Sequence, residues 1–396
     1  MTDTHGPFTS VEVCAGAGGQ ALGLHQAGFR HAALIEIDDH ACATLRLNVT
    51  EEAGWGQCAV LHRDLHDFRH EELGLRPGEL DLLAGGVPCP PFSAAGMQLG
   101  KEDERDLFPR MLDLVHLLRP KAVMIENVRG LLDPPGKFEE YRENYIKRRL
   151  RDDGYIICGW KVMEARDYGV PQLRPRAILV AMRPQFSGHF TWPNPRELKV
   201  RTLDEALAPS MKTRFGDTER GRDAYRRWLR KATGGIAPTL VGGSKKHGGA
   251  DLGPTRAKRA WRKLGVDAMG VANEPEAMTD PERDLYARDR AGQYIGPKLT
   301  VSQAAIVQGF PEHWRFAGRK TAAYRQVGNA FPPPVARVIG QHIIEALRKG
   351  ALAPGSDDGM REEAGKGMLF ELQHPSARSS ADRGDGIEHL ASAGLG

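Results

Sequence analysis

The sequence predicts an α/β fold: a mostly parallel sheet with helices on both faces, joined to a smaller, irregular second segment. Three observations predict it. Over the first 185 residues short β-rich runs alternate with helical patterns, three of the runs end in glycine- or proline-marked loops, and the pattern breaks near residue 190 and returns only near residue 299. Strands that alternate with helices form parallel sheets covered on both faces.

In chain order, TSVEVCAG reads as the first strand, followed by the turn AGAGG and the helix QALGLHQAGF. AALIEID is the second strand, and DHACATLRLNV the helix behind it. A third short strand precedes RDL, and ELDLLAGG then runs into GGVPCPPFSAAG. KAVMIEN ends at ENVRG, and YIICGWKVMEA and RAILVAMR complete the sheet. Ligands in such sheets bind beyond the carboxyl ends of the strands, which singles out AGAGG, GGVPCPP and ENVRG. From TWPNPRELKVRT onward Gly, Pro and Arg dominate without clear period; LTVSQAAIVQGFP restores it, and PVARVIGQHIIEALRKG is the closing helix. After Ala351 the tail is polar and is expected to be largely disordered, with MLFEL as a short docking segment.

At 396 residues, 40% hydrophobic and 27% charged, the chain has the composition of a soluble globular protein of two domains. No apolar run is long enough to span a bilayer, and the N-terminus lacks the basic start and apolar core of a signal peptide. A cytoplasmic, nucleoid-associated protein without membrane contact is expected. The five cysteines, Cys14, Cys42, Cys58, Cys89 and Cys158, are odd in number and hold no C-x-x-C pair. That argues against a disulfide framework and against a metal site. Net charge is only +4, yet thirteen Lys and Arg face two Asp between Arg220 and Lys263. The cluster carries glycines and aromatics that a plain solvated helix would not favour, and an excess of this size points to a polyanion such as nucleic acid.

Four groups of residues carry chemistry. Gly16, Gly18 and Gly19 follow a strand and open a helix, a cradle for a cofactor, and Glu36 about 20 residues on is placed for ribose hydroxyls. This pattern alone does not separate NAD from S-adenosylmethionine. Asp64 in RDL suits an adenine amino group or a surface turn. Cys89 sits among Pro88, Pro90 and Pro91, either a rigidly held nucleophile or an incidental thiol in a structural loop. Glu126, at the end of an apolar strand, suits a general acid of raised pKa or, with Asn127, a helix cap. Arg174 and Arg176 alternate onto one face, where they would bind a carbonyl or phosphate oxygen or form a strand-start ion pair.

In combination these blocks resemble the DNA cytosine-5 methyltransferases. The order is Gly16-x-Gly18-Gly19, Glu36, Pro88-Cys89 with Pro91-Phe92-Ser93, Glu126-Asn127-Val128, Gln172-x-Arg174-x-Arg176, a variable basic stretch, LTVSQAAIVQGFP, and YRQVGNAFPPPVA. The resemblance spans residues 10–340. It implies a Rossmann-like, S-adenosylmethionine-dependent methyltransferase domain of residues 1–188 and 322–348, a target-recognition domain of 189–321, and a tail of 349–396. It implies that Cys89 attacks C6 of a cytosine flipped out of duplex DNA, that Glu126 serves N3, that Arg176 bonds O2, and that Arg174 supports the loop. The cofactor pocket would take Cys14, Gly16, Gly18, Gly19, Glu36, Ile37, Asp64, Leu65, Pro88, Leu107, Asn329 and Ala330, with Gln326 and Gly328 shaping the turn. Ser93, Gln172, Thr239, Leu240, Lys245, Lys246, Arg256 and Lys258 would meet DNA. A monomer is implied, with a cognate restriction endonuclease as functional partner. Departures from the family pattern fall at Cys14, Pro90, Pro297 and Ser302-Gln303. An RNA cytosine methyltransferase, a catalytically silent DNA-binding protein of the same fold and a dinucleotide oxidoreductase are the rivals. The long basic insertion favours DNA, the complete Cys89, Glu126 and Arg176 set favours catalysis, and nothing in the Cys or Arg motifs supports an oxidoreductase.

Overall fold

The computed structural model describes residues 7–88, 106–134, 136, 138–195, 199–242 and 250–353. Cys89, Pro90, Ser93, Lys245, Lys246 and the tail with MLFEL lie outside the described residues.

Seven strands form one sheet: β1 (Thr9–Val13), β2 (Arg30–Glu36), β3 (Ala59–His62), β4 (Leu82–Gly85), β5 (Ala122–Val128), β6 (Ile156–Glu164) and β7 (Pro175–Met182), in the order β3-β2-β1-β4-β5-β7-β6. The pairs among β1 to β5 are parallel. β7 inserts antiparallel between β5 and β6. The expected mostly parallel sheet is present, with antiparallel pairing confined to one edge.

The period-2 alternation of strands explains the layers. Val11, Val13, Ile35, Leu83, Val123, Ile125 and Leu179 share one core with Met111, Leu112 and Val115 of the helix Phe108–Leu118. Their neighbours Leu82, Ala84, Met124, Ile178 and Val180 point the other way, to Ile339, Ile343 and Leu347 of the closing helix Pro333–Ala351. Each large aliphatic side chain buried in this way contributes about 1.5–3 kcal/mol. The helix Gly19–Ala27 lies flush on the closing helix: a Cβ at Gly23 would stand 2.3 Å from the Pro333 carbonyl oxygen. The two ends of the described chain are therefore neighbours.

The segment after residue 190 is more regular than its composition suggests. It holds the helices Leu203–Phe215, Glu219–Ala232 and Thr255–Lys263. Thr202 and Glu205 form a capping box on the first, and the Thr218 side chain accepts from Gly221 N–H on the second. The apolar period is thin because Thr255–Lys263 buries only Trp261, and Glu219–Ala232 only Gly221, Ala224, Trp228 and Ala232. The basic stretch is thus in large part the solvent face of two helices, each anchored by a fully buried tryptophan, and the aromatics belong to their core side. These helices pack with Leu34, Leu45, Leu299 and Val307 into a third core.

Two departures from the family pattern are satisfied locally. Gln303 forms a capping box with Thr300, accepts from Arg214 at 2.6 Å, and donates to Ser210 at 3.0 Å. The Pro297 carbonyl accepts from Asp267 N–H at 2.9 Å. Among the described residues no helix is long and apolar enough to cross a membrane, and no group of three His, Cys, Asp or Glu is placed to hold a metal.

Candidate active site

Strand order reverses between the parallel neighbours β1 and β4, and a crevice opens beyond their carboxyl ends. A cavity of about 360 Å³ lies there, lined among others by Glu12, Cys14, Gly16, Gly19, Gln20, Glu36, Gly86, Glu126, Asn329 and Ala330. It draws on the ends of β1, β2, β4 and β5 and on the turn after the helix Lys320–Asn329.

The glycine turn does what its sequence requires. Gly16 and Gly18 have φ of +55° and +83°, and Cys14 shares the left-handed region at 52°. At Gly19 a Cβ would stand 2.2 Å from the Phe331 carbonyl oxygen, so only glycine lets the first turn meet the chain near Asn329. Glu36 is held at the wall by three backbone donors: Gly16 N–H at 2.7 Å, Ile37 N–H at 2.9 Å and Asp38 N–H at 2.8 Å. Asp38 then caps the next helix, accepting from His40 and Ala41.

Glu12 and Gln20 are residues that sequence reading missed. Glu12 is 1% exposed, and burial pushes its carboxyl well above the usual range, with the charges of Glu36 and Glu126 acting the same way. Among the described residues its Oε2 and both amide atoms of Gln20 are buried without a hydrogen-bond partner. The available signal was an acid inside the apolar run VEV. Unpaired polar atoms at a cavity wall fit a polar ligand, since leaving them unmet costs about 1–3 kcal/mol each. Such an acid can ionise beside a cationic group, which offsets the cost of its burial, whereas a pyrophosphate would add to that cost.

At the opposite wall the Arg176 Nε lies 2.9 Å from the Glu126 Oε1, both side chains mostly buried. Burial raises the Glu126 pKa, while the Arg176 and Arg174 charges pull it down. A Cβ at Gly86 would stand 3.1 Å from Glu126 Oε2. Asn127 Nδ2 donates to the Val87 carbonyl at 2.8 Å, and Leu107 N–H to the Pro88 carbonyl at 3.2 Å. Pro88 and Leu107, on either side of residues 89–105, are therefore held together close to Asn127 and Glu126. Burial pushes up all four described thiols, Cys42 and Cys158 to about 11, Cys58 to about 12 and Cys14 further still.

Other expected residues fall elsewhere. Gly18, Ile37, Asp64, Leu65, Pro88 and Leu107 do not line the cavity, and Gly18 instead abuts Leu45 and Trp314. Ile37 is 58% exposed, Leu65 is buried in the sheet core, and Asp64 accepts from His66 N–H at 2.9 Å, which is its turn reading. Arg174 and Arg176 do not converge on one target: the Arg174 guanidinium is buried against backbone carbonyls. Gln172 and Leu240 are fully buried and bonded to each other, so neither side chain faces solvent. The Thr239 hydroxyl donates to the Leu173 carbonyl. Arg256 is exposed, and Lys258 pairs with Asp251 at 2.8 Å.

The family described as C-5 cytosine-specific DNA methylase matches residues 8–345. The chain is 45% identical over 385 residues to the Type II methyltransferase M.NaeI of Lentzea aerocolonigenes, covering 96% of this chain and 82% of that protein. It is 46% identical over 345 residues to M.NgoMIV of Neisseria gonorrhoeae, covering 86% and 99%. Among solved structures it resembles an Escherichia coli prophage DNA modification methyltransferase with a TM-score of 0.55 at 20% identity, over 86% of this chain and 99% of that one. Dnmt2 of S. pombe superposes with a TM-score of 0.52 at 15% identity, over 86% and 99%, a likeness of fold alone. A match through nearly every described element, on a sheet whose switch point opens into this cavity, leaves one conclusion: the chain belongs to the C-5 cytosine-specific DNA methylases and is a DNA (cytosine-5-)-methyltransferase.

Proposed function

We propose that the protein methylates C5 of a cytosine flipped out of duplex DNA at a short specific sequence, with S-adenosylmethionine as donor and Cys89 as nucleophile. The observation that carries this reading is Glu126, on the wall of the switch-point cavity beside Gly86, three residues from Cys89, and held there by its ion pair with Arg176. S-adenosylmethionine supplies an electrophilic methyl group when bound. Glu36 and Asn329 would hold its ribose and amino-acid ends, and the unpartnered Glu12 and Gln20 atoms fit its cationic, amino-acid portion better than the pyrophosphate of a dinucleotide.

The protein's own residues would act as follows. The Cys89 thiolate adds to C6, and the proton held by Glu126 moves to N3, so the ring stays neutral as C5 gains electron density. Arg176 bonds O2 and keeps Glu126 in place. Once C5 is methylated, loss of the C5 proton and return of the N3 proton to Glu126 restore the neutral ring and expel the Cys89 thiolate. The raised thiol pKa values of the four described cysteines favour Cys89 for this task, because burial disfavours their thiolates.

Residues 189–321 would read the DNA as a target-recognition domain set on the discontinuous catalytic domain of 1–188 and 322–348, in a protein that works as a monomer. Similarity to two Type II methyltransferases supports a protective role opposite a cognate restriction endonuclease. The test is methyl transfer from labelled S-adenosylmethionine to unmethylated duplex DNA, wild type against Cys89→Ser, read by bisulfite sequencing. Methylation at one short sequence that vanishes in the variant is expected. Transfer to tRNA alone, or DNA binding without transfer, would replace this reading with the RNA enzyme or the silent binder.

A further inference from the structure

Arg174 is 1% exposed, yet among the described residues it has no carboxylate within ion-pair distance. Its guanidinium donates instead to three backbone carbonyls: Leu240 at 2.7 Å, Gly328 at 2.8 Å and Ala330 at 2.9 Å. Burial and the neighbouring Arg176 charge act against the cation and outweigh the support of Glu126 and Tyr324, neither of which bonds it directly among the described residues. Burying a cation against carbonyls alone is costly, so its position calls for a reason beyond filling space.

The carbonyls belong to two separate segments. Gly328 and Ala330 flank Asn329 in the cavity wall. Leu240 lies in the segment 237–242, which leads into residues 243–249 with Lys245 and Lys246. The same two segments meet at Gly242, where a Cβ would stand 2.4 Å from the Arg325 carbonyl and 2.5 Å from Asn329 Oδ1. Conversely, a Cβ at Gly328 would stand 2.3 Å from Gly242 N. Gln172 strengthens the joint: its Oε1 accepts from Leu240 N–H at 2.8 Å and its Nε2 donates to Gln308 Oε1 at 2.7 Å. Gln308 in turn donates to the Ala330 carbonyl.

We infer that Arg174 is a positioning residue that latches the stem of the basic recognition segment to the Asn329 wall, so that DNA binding and cofactor binding strengthen one another. The inference rests on the functional reading above, in which residues 189–321 meet DNA and the cavity takes S-adenosylmethionine. A shift of the stem on DNA would move Gly242 against Asn329 directly, and the planar guanidinium, with donors in a fixed fork, holds all three carbonyls at once. Lysine has three donors but no such fork. By linkage, a ligand that stabilises one segment in this joint raises affinity at the other by the same factor.

The experiment is equilibrium dialysis of labelled S-adenosylhomocysteine with the full chain, with and without sheared unmethylated genomic DNA. In the wild type, DNA is expected to tighten binding at least about fivefold. In Arg174→Lys that factor should fall to within about twofold of one, while binding without DNA changes less than about threefold. Gly242→Ala, which wedges a methyl group into the same joint and leaves Arg174 intact, should also lose the factor. Wild-type protein that binds both ligands with a factor near one overturns the latch, as does an undiminished factor in both variants. A parallel fall of both affinities with folded fraction reduces Arg174 to a structural role and overturns it too. Failure of the wild type to bind S-adenosylhomocysteine at all instead removes the functional reading.

Discussion

The Arg176 guanidinium bonds the Glu126 carboxylate although the two residues are not opposite each other: the register sets Glu126 against Ile178 and Arg176 against Val128. This diagonal pairing leans the arginine back along β5 and puts a fixed donor beside a protonatable oxygen. In the proposed reaction this couple would meet the neighbouring N3 and O2 atoms of the pyrimidine edge. Burial favours the neutral acid, and the arginine limits how far. Glu126→Gln should therefore cut the single-turnover rate by about 10²–10⁴ and abolish the alkaline fall in rate. A variant that keeps that limb would assign the limb to another group.

Arg176 also predicts a shift. Its charge lowers the Glu126 pKa against the larger upward effect of burial. In Arg176→Met the acid should hold its proton to higher pH, so the alkaline limb of kcat/KM moves up even as the rate falls. A limb that stays in place or moves down would show that the pair does not set this proton.

Glu12 predicts opposite effects on binding and stability. Burial holds its folded pKa well above the ordinary carboxylate range. The stability it contributes is complete below the unfolded value and is lost as pH rises through the folded one, where the native state must carry a buried anion. Glu12→Gln should thus raise Tm relative to wild type near pH 8, with the difference fading toward pH 4.5. It should also weaken S-adenosylhomocysteine binding, measured by calorimetry at a single pH. A lower Tm at pH 8 would mean that Glu12 is charged and satisfied in the fold.

Gly19 tests the contact between the two ends of the described chain. A methyl group there would lie 2.2 Å from the Phe331 carbonyl oxygen, and 3.2 Å from the Ala330 Cβ. Backbone must move to admit it. Gly19→Ala should cost about 1–3 kcal/mol in urea unfolding and weaken cofactor binding, whereas Gly16→Ala meets no atom of the described residues within 4 Å and is strained by its φ of +55°. Equal losses at both sites would mean that backbone conformation, not the close approach, is what matters.

Much of this arrangement was legible in the sequence because it depends on local rules. Short, continuous apolar runs marked the strands, which are buried on both faces, and glycines marked the turn where φ is positive. Glu36, Glu126 and Arg176 were legible because polar residues at strand ends face the rim. Glu12 was hidden by the apolar residues that flank it, and its unmet oxygen appears only once the cavity closes around it. Arg174 was legible as a residue but not in its direction, because its partners lie at 240, 328 and 330, set by tertiary contacts. The basic helices escaped because one tryptophan suffices to bury Thr255–Lys263, leaving charge rather than apolar period as the trace.

Those helices carry the last prediction. Arg256 is exposed, while Lys258 is tied to Asp251 at 2.8 Å. A free cation that meets a phosphate releases a counterion, and its loss lowers the slope of log K against log salt by roughly 1. A cation already paired within the protein must first give up its carboxylate, so it releases less. Arg256→Ala should therefore flatten the salt dependence of DNA binding by about one unit, measured by fluorescence anisotropy on a labelled duplex over a salt series. Lys258→Ala should weaken binding more through the freed Asp251 charge, which repels DNA, than through a lost phosphate contact, and Lys258→Ala combined with Asp251→Ala should recover most of that loss. If the double variant binds no better than Lys258→Ala, the lysine itself meets the phosphate and the ion pair opens on DNA.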